Sequence, residues 1–279
     1  MNGLIVVNKE KDYTSRDVVN IISKTLGTKK VGHTGTLDPM ACGVLVVVIG
    51  KCTKLCDYES LDEKEYIAEF ELGYETDTLD STGTIIVENK VNLSENEIRD
   101  AILSFKGEYD QVVPKYSAVK INGKKLYEYA RNDIDIELPS RRVNIKDIEV
   151  ISIGEKIKIR CLVSKGTYIR SLIRDIGYKL NTYATMTSLV RTKLGEYNIE
   201  DSYKIEDIKN NKYKLVSIEE IFKDKVRVDM DDILLKKVSN GVKLDNAYNS
   251  DIVLFYYQDK LICVYKEYEK SKIKPFIMI

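Results

Sequence analysis

The segment VGHTGTLDPMACGVLVVVIG, residues 31–50, holds the only histidine of the chain, His33, and one aspartate, Asp38, between a glycine-rich loop and a proline. Glycine lets backbone approach a ligand closely, so this loop is suited to putting one carboxylate into a cleft. A carboxylate placed there can attack as a nucleophile or remove a proton. Asp38 could equally close an Asx-turn on its own backbone. A phosphate-cradling loop is excluded, because G-x-x-x-x-G-K-[ST] needs a lysine after its second glycine. A second stretch, SKGTYIRSLIRDIG at 164–177, offers the partner such a carboxylate needs. Helical spacing puts Arg170 and Arg174 on one face, one turn apart. A guanidinium favours the charged form of a carboxylate and fixes its orientation. On local pattern alone, Arg170 also fits a solvated helix face.

A third stretch, PKYSAVKINGKKLYEYAR at 114–131, interleaves lysines with Tyr116, Tyr127 and Tyr129 and turns at Asn122-Gly123. Basic groups bind phosphates and aromatic rings stack on bases. A solvated hairpin with core tyrosines has the same pattern.

These residues need a scaffold, and the flanking periodicities supply one. LIVVNK (4–9) and GVLVVVIG (43–50) read as buried strands bounded by polar residues and glycine. SRDVVNIISKTL (15–26) has helical spacing, with Thr14 or Ser15 as N-cap and Gly27 as stop. EYIAEFELG (65–73) alternates, placing Tyr66, Ala68, Phe70 and Leu72 on one face. SENEIRDAILSFKG (94–107) begins with a capping box, Ser94 and Glu97. KIKIRCLVS (156–164) reads as a strand and TYIRSLIRDIGYKL (167–180) as a helix. Strands and helices mix without a βαβ repeat, which predicts an α+β fold around a largely antiparallel sheet. Beyond residue 224, DIVLFYY and KLICVYKE flank Gln258-Asp259 and predict a hairpin in a small β-rich appendage.

Length and composition set outer bounds. A chain of 279 residues, 43% hydrophobic, can bury a real core. Its apolar runs are about as long as Val44–Ile49, too short for a membrane helix of roughly 20 residues. The start has no signal-peptide pattern, and a cytoplasmic location is expected. Five cysteines and one histidine do not make a disulfide framework or a zinc site, so no metal is expected. Formal net charge is zero, with 44 basic and 44 acidic residues, but the charges are segregated. Residues 160–193 carry seven Lys or Arg against Asp175 alone, and residues 115–131 carry five against Glu128. Residues 55–100 carry fourteen Asp or Glu against three basic residues. Such segregation can build a basic face on a neutral protein.

Together GHTGTLDPMACGVL, KEYIAEFELG, YSAVKINGKKLYEYAR, SKGTYIRSLIRDIG and SLVRTKLGEY resemble, in this order, the bacterial TruB-type tRNA pseudouridine synthases. The resemblance runs from residue 2 to about 200 and more faintly beyond. It implies a pseudouridine-synthase-like catalytic domain over 1–223, with an RNA-clamping insertion at about 114–142. A small PUA-like RNA-binding domain over 224–279 would follow. It implies isomerisation of uridine 55 in the TΨC loop of tRNA, with the tRNA T arm as partner and a monomeric enzyme. Uridine and pseudouridine are isomers, so no cofactor is implied. The family's catalytic residues fall on Asp38 as nucleophile, Tyr66 as the stacking tyrosine and Arg170 as partner of the nucleophile. Substrate-binding positions fall on His33, Lys9, Tyr168 and Leu189, and on Lys120, Lys124, Lys125 and Arg131 of the insertion. One departure stands out. The family's Asp-Lys-Pro-x-Gly turn is here Asn8-Lys9-Glu10-Lys11-Asp12, without the Pro and Gly that fix its geometry, so a looser Lys9 loop is expected.

Two other classes compete. A tRNA-binding protein without chemistry would also use a basic, tyrosine-rich insertion, but it has no need of Asp38, Tyr66 and Arg170 together. A glycosidase would need two acids roughly 5–10 Å apart, and the loop offers one.

Overall fold

The computed structural model describes residues 1–57, 63–132, 134–269 and 271–279. The chain opens with β1 (Gly3–Lys9), α1 (Ser15–Thr25), β2 (Val31–His33) and β3 (Cys42–Ile49). After a 3-10 segment come β4 (Lys64–Leu72), β5 (Tyr74–Thr76), β6 (Ile85–Glu88), α2 (Glu95–Leu103) and β7 (Gly107–Val112). The excursion that follows holds β8 (Lys120–Ile121), β9 (Lys124–Lys125) and α3 (Leu126–Arg131). The chain returns through β10 (Ser140–Ser152), β11 (Ile157–Val163), α4 (Ile169–Lys179), β12 (Ala184–Leu194), β13 (Tyr197–Asn198) and β14 (Tyr203–Lys204). Two short helices, α5 (Ile205–Lys209) and α6 (Ile218–Ile221), lead to β15 (Val226–Asp229) and α7 (Asp232–Ser239). The last strands are β16 (Leu244–Asp245), β17 (Ile252–Tyr257), β18 (Lys260–Glu269) and β19 (Lys272–Met278).

The main sheet runs β14-β1-β3-β12-β4-β11-β10-β7, with β2 beside β3 and β13 beside β12. It is antiparallel except for the β1–β14 and β3–β12 pairs. The apolar runs in β1 and β3 are continuous because both faces are covered. Ile5, Val7, Leu45, Val47 and Ile49 pack under α1 residues Val18 and Ile22. Leu4, Val6, Val44, Val46 and Val48 pack against Ile252, Leu254 and Val264 of the second sheet. Each such side chain contributes about 1.5–3 kcal/mol on burial.

In β4 the alternation predicted from sequence is realised. Tyr66, Ala68 and Phe70 face the core formed with α4 and α2, while Glu65, Glu69 and Glu71 pair with Arg160, Lys158 and Lys156 on the other face. Thr14 caps α1 and Ser94 caps α2, each in a full capping box. Helix α4 starts two residues later than its pattern predicts, at Ile169, with Tyr168 as N-cap.

The second sheet runs β15-β17-β18-β19-β16 and has its own small core of Val253, Phe255, Cys263, Tyr265 and Ile273 with Val238 of α7. Its tight hairpin turns at Gln258 and Asp259, both in the left-handed region with φ of 48° and 58°. The excursion between β7 and β10 is shorter than 114–142. Ser140, Arg141 and Arg142 already pair with Val112, Gln111 and Asp110 of β7. At Gly43, φ is +100° and a Cβ would stand 2.2 Å from the Arg191 carbonyl oxygen, so only glycine lets β3 and β12 approach this closely.

Candidate active site

The Asp38 loop connects β2 to β3 and is held from below. Ser15 at the start of α1 accepts from the Leu37 amide at 2.9 Å and donates to the Leu37 carbonyl at 3.2 Å. Lys9 at the end of β1 is fully buried and donates to the carbonyls of Glu10 (3.0 Å), Tyr13 (2.6 Å) and Pro39 (3.2 Å). An ammonium group has three N–H donors, and all three are used here. Lys9 therefore holds the loop and has no donor left for a ligand, which corrects its expected place on the substrate side. The looser turn expected from the missing Pro and Gly is also corrected. Asp12 adopts the left-handed conformation itself, at φ 71°, and its amide donates to the Pro39 carbonyl at 2.8 Å. Burial lowers the Lys9 pKa to about 8, against partial opposition from Cys42, Asp38 and Asp12.

Arg170, in the first turn of α4, meets Asp38 in a two-point pair. Its Nε lies 2.9 Å from Oδ2 and its Nη2 donates to Oδ1 at 3.2 Å. The fork is completed by the carbonyls of Thr78 (2.9 Å) and Tyr116 (3.0 Å). The guanidinium is 6% exposed and the carboxylate 33%, so the arginine is the buried anchor and the aspartate reaches the cleft. Such a planar fork orients a carboxylate as a lysine could not.

Asp38 opens into a cavity of about 380 Å³ lined by Leu37, Tyr66, Ser117, Tyr168, Arg170 and Leu189, among others. Tyr66 and Leu189 give it a flat aromatic wall and an apolar wall. Burial raises the Tyr66 pKa, so its hydroxyl keeps its proton at neutral pH. Tyr168 is fixed through its backbone. Gln111, 1% exposed, accepts from the Tyr168 amide at 2.8 Å and donates to its carbonyl at 3.1 Å. A second cleft of about 430 Å³ adjoins the first across Asp38, Tyr116, Tyr127 and Arg170, and reaches Thr78, Asp80 and Arg131.

His33 lies at the end of β2, behind the loop, and does not line either cavity. Its Nδ1 accepts from the Gly35 amide at 3.3 Å. Its pKa is lowered, first by burial and then by Arg16 and Arg191, below the ordinary 6.5. Just below pH 6.5 the native state therefore binds fewer protons than the unfolded chain. The stability contributed by neutral His33 is complete above that pH and is lost as pH falls through the lower folded value. The thermal midpoint should drop on acidification through this window. His33→Gln, which keeps an acceptor, should flatten that limb; an unchanged limb would remove His33 from the account of acid lability.

Among the insertion residues, Arg131 alone of the four predicted positions lines a cleft beside Asp38. Lys125 and Arg131 both lie over the Tyr127 ring, at 5.3 Å each. Lys120 and Lys124 are exposed on the β8–β9 hairpin. The basic run 160–193 does not form a basic face. Arg170, Arg174 and Arg191 are buried, and Arg160 is tied to Glu65, Asp147 and Glu149.

Three site residues escape the sequence reading. Asp80, 4% exposed, sits 3.8 Å from Arg170 Nε and accepts from Thr78 Oγ1 and Thr82. It belongs to DTLDSTG (77–83), whose clustered Asp and Thr are a visible signal hidden inside a long acidic stretch. Gln111 carries no local signal, and Arg191 stands in SLVRTKLGEY with nothing local to mark it as buried beside the site.

Residues 23–169 match the TruB family pseudouridylate synthase N-terminal domain, and residues 170–235 match the tRNA pseudouridylate synthase B C-terminal domain. A tRNA pseudouridine synthase B from Fusobacterium nucleatum subsp. nucleatum is 46% identical over 270 residues, covering 94% of each chain. One from Clostridium tetani is 43% identical over 274 residues, also covering 94% of each. Among solved structures, a crystal structure of a Cbf5-Nop10-Gar1 complex aligns with a TM-score of 0.70 and 26% identity, over 96% of this chain and 79% of that one. The α+β fold with its small PUA-like C-terminal sheet, the Asp38–Arg170 pair at the mouth of a base-sized cavity, and identity over nearly the whole length agree, and the chain belongs to the TruB family of pseudouridylate synthases.

Proposed function

We propose that this enzyme isomerises uridine 55 in the TΨC loop of tRNA to pseudouridine, with Asp38 as the catalytic carboxylate. The observation that carries this reading is the two-point Asp38–Arg170 pair beside a cavity walled by Tyr66 and Leu189. The uridine leaves its stack at a cost of a few kcal/mol and enters the cavity. Stacking on Tyr66 and contact with Leu189 recover part of that cost. Asp38, held by Arg170, then bonds to the ribose C1′ or removes a ribose proton, and the glycosidic electron pair moves onto the base. The uracil turns in the cavity and its C5 bonds to C1′ as the Asp38 oxygen leaves that carbon, or as Asp38 returns the proton to the ribose. The C5 proton passes to solvent and N1 takes up a proton, which completes the isomer. Residues 1–223 would form the catalytic unit and 224–279 a second RNA-binding unit.

The loop carrying Tyr116 and Ser117 closes over the cavity, and the exposed lysines of the hairpin, with Arg131, are suited to the phosphates of the T arm. Phosphate contacts release counterions, so affinity for tRNA should fall about tenfold or more between 50 and 200 mM salt. A flat dependence, measured by filter binding, would count against this basic edge. The position modified is tested on an unmodified tRNA transcript by carbodiimide labelling and primer extension. A stop one nucleotide 3′ of position 55 supports the proposal, and a stop elsewhere overturns the assignment of site while leaving the chemistry.

A further inference from the structure

Arg141 lies on β10 opposite Gln111 of β7, and cross-strand partners share one face of the sheet. From that face Gln111 reaches the backbone of Tyr168. Arg141 is exposed beside the loop 164–168, which joins β11 to α4. A Cβ on Gly166 would stand 3.7 Å from Arg141 Nη1, so the guanidinium lies against the turn of that loop. Gly166, Thr167 and Tyr168 line the cavity that holds Asp38. The loop is itself tied to β10. The Ser164 amide donates to the Asn144 carbonyl and Ser164 Oγ accepts from the Asn144 amide, both at 2.9 Å. Thr167 Oγ1 donates to the Ser164 carbonyl at 2.9 Å. Arg141 thus stands at a fixed rim of the cavity.

The donors at this rim are unused. The next residue, Arg142, alternates to the other face and pairs with Glu108 and Asp110. Arg160, on the neighbouring strand, pairs with three carboxylates. Arg141 has no hydrogen bond or carboxylate partner among the described residues. The Gly166 amide, in a backbone at φ +85°, also meets no protein acceptor among them. A guanidinium fork with a backbone N–H beside it is a donor set suited to phosphate oxygens. A nucleotide whose base fills a cavity leaves its phosphates at the mouth, because burying that charge is costly. We infer that Arg141, with the Gly166 amide, binds the RNA phosphate next to the nucleotide whose base occupies the cavity. This rests on the isomerase reading above and deepens it. The contact is distinct from those of the β8–β9 hairpin, since Arg141 belongs to the main sheet. It grips the backbone at the reacting nucleotide itself, from a rim that does not have to be ordered on binding.

The test is the affinity for unmodified tRNA transcript measured as a function of salt. Arg141→Gln should weaken binding about tenfold at 50 mM salt and make the plot of log K against log salt shallower by about one unit. Arg141→Lys should keep the wild-type slope and recover part of the affinity, since it restores the charge without the fork. Arg142→Gln, which removes a guanidinium already neutralised by carboxylates, should leave the slope unchanged. An Arg141→Gln slope equal to wild type, or an equal loss in Arg142→Gln, would overturn the inference. A second measurement locates the phosphate. Two T-arm RNA hairpins each carry one neutral methylphosphonate, on the 5′ or the 3′ side of the target uridine, with a 2′-deoxy sugar before it to prevent cleavage. On one of the two, the difference between wild type and Arg141→Gln should disappear. A difference that persists on both would place the contact elsewhere and overturn the inference. Wild-type protein that binds tRNA without salt dependence, or not at all, would sink the RNA reading and this contact with it. Steep wild-type dependence shared by Arg141→Gln would sink the contact alone.

Discussion

Asp38→Asn should lower tritium release from C5-labelled tRNA by about 10⁴-fold or more and leave tRNA binding within a few-fold of wild type. Asparagine has the shape of aspartate and still offers one oxygen to Arg170, so the loop keeps its hydrogen bonds to Ser15 and Lys9. What disappears is the negative charge and the second carboxylate oxygen, hence any nucleophile or base at that position. Binding depends on phosphate contacts spread along the RNA, and removing a carboxylate from a site that faces a polyanion does not weaken them. The two readouts therefore separate. Release that falls less than tenfold would take Asp38 out of the centre of the reaction.

Arg170→Met should have a double effect. The guanidinium serves Asp38, the Thr78 and Tyr116 carbonyls, and the nearby Asp80. Its loss leaves two carbonyls and the nearly buried Asp80 carboxylate without their partner. Breaking such a buried arrangement costs about 3 kcal/mol, and the one-third exposure of Asp38 limits that residue's share. Catalysis should suffer more than stability. Without the fork, Asp38 is free to rotate, and an angular error at the reacting centre costs about 100-fold on its own. Arg170→Lys separates the two effects. It restores the charge but not the two-point geometry, so it should recover stability better than turnover. Urea unfolding and single-turnover release on the same preparations check this. Equal recovery of both would mean that charge, not orientation, is what Arg170 supplies.

Much of this site was legible because its members sit in short segments where residue type and local geometry coincide. Gly-rich loop before a buried strand places Asp38; the first turn of a helix places Arg170; an alternating strand places Tyr66. Ser94 was readable as a cap for the same reason, and Thr14 as one of two candidates with Ser15. Partners brought in by long-range pairing were not. Arg191 reaches the Val44 and Gly35 carbonyls only because β12 runs between β3 and β4, and Gln111 reaches Tyr168 only because β7 ends beside α4. Charge counting failed for a related reason. Arg160, Arg170, Arg174 and Arg191 look alike in a linear tally, but burial removes three of them from the surface and carboxylates neutralise the half-buried Arg160. The turn at Lys9 was misjudged because Asp12 takes a conformation that glycine would ordinarily supply. In β1 and β3 the apolar runs announced strands covered on both faces, but not that the second cover is the C-terminal sheet.

The most direct measurement is tritium release by the wild-type enzyme from two tRNA transcripts labelled at uridine C5, one unchanged and one with uridine 55 replaced by cytidine. The expected result is one equivalent of tritium per unchanged tRNA and none from the replaced transcript. Equal release from both would contradict position 55 as the target. No release from either, with tRNA still bound tightly, would contradict the chemistry itself and leave an RNA-binding protein.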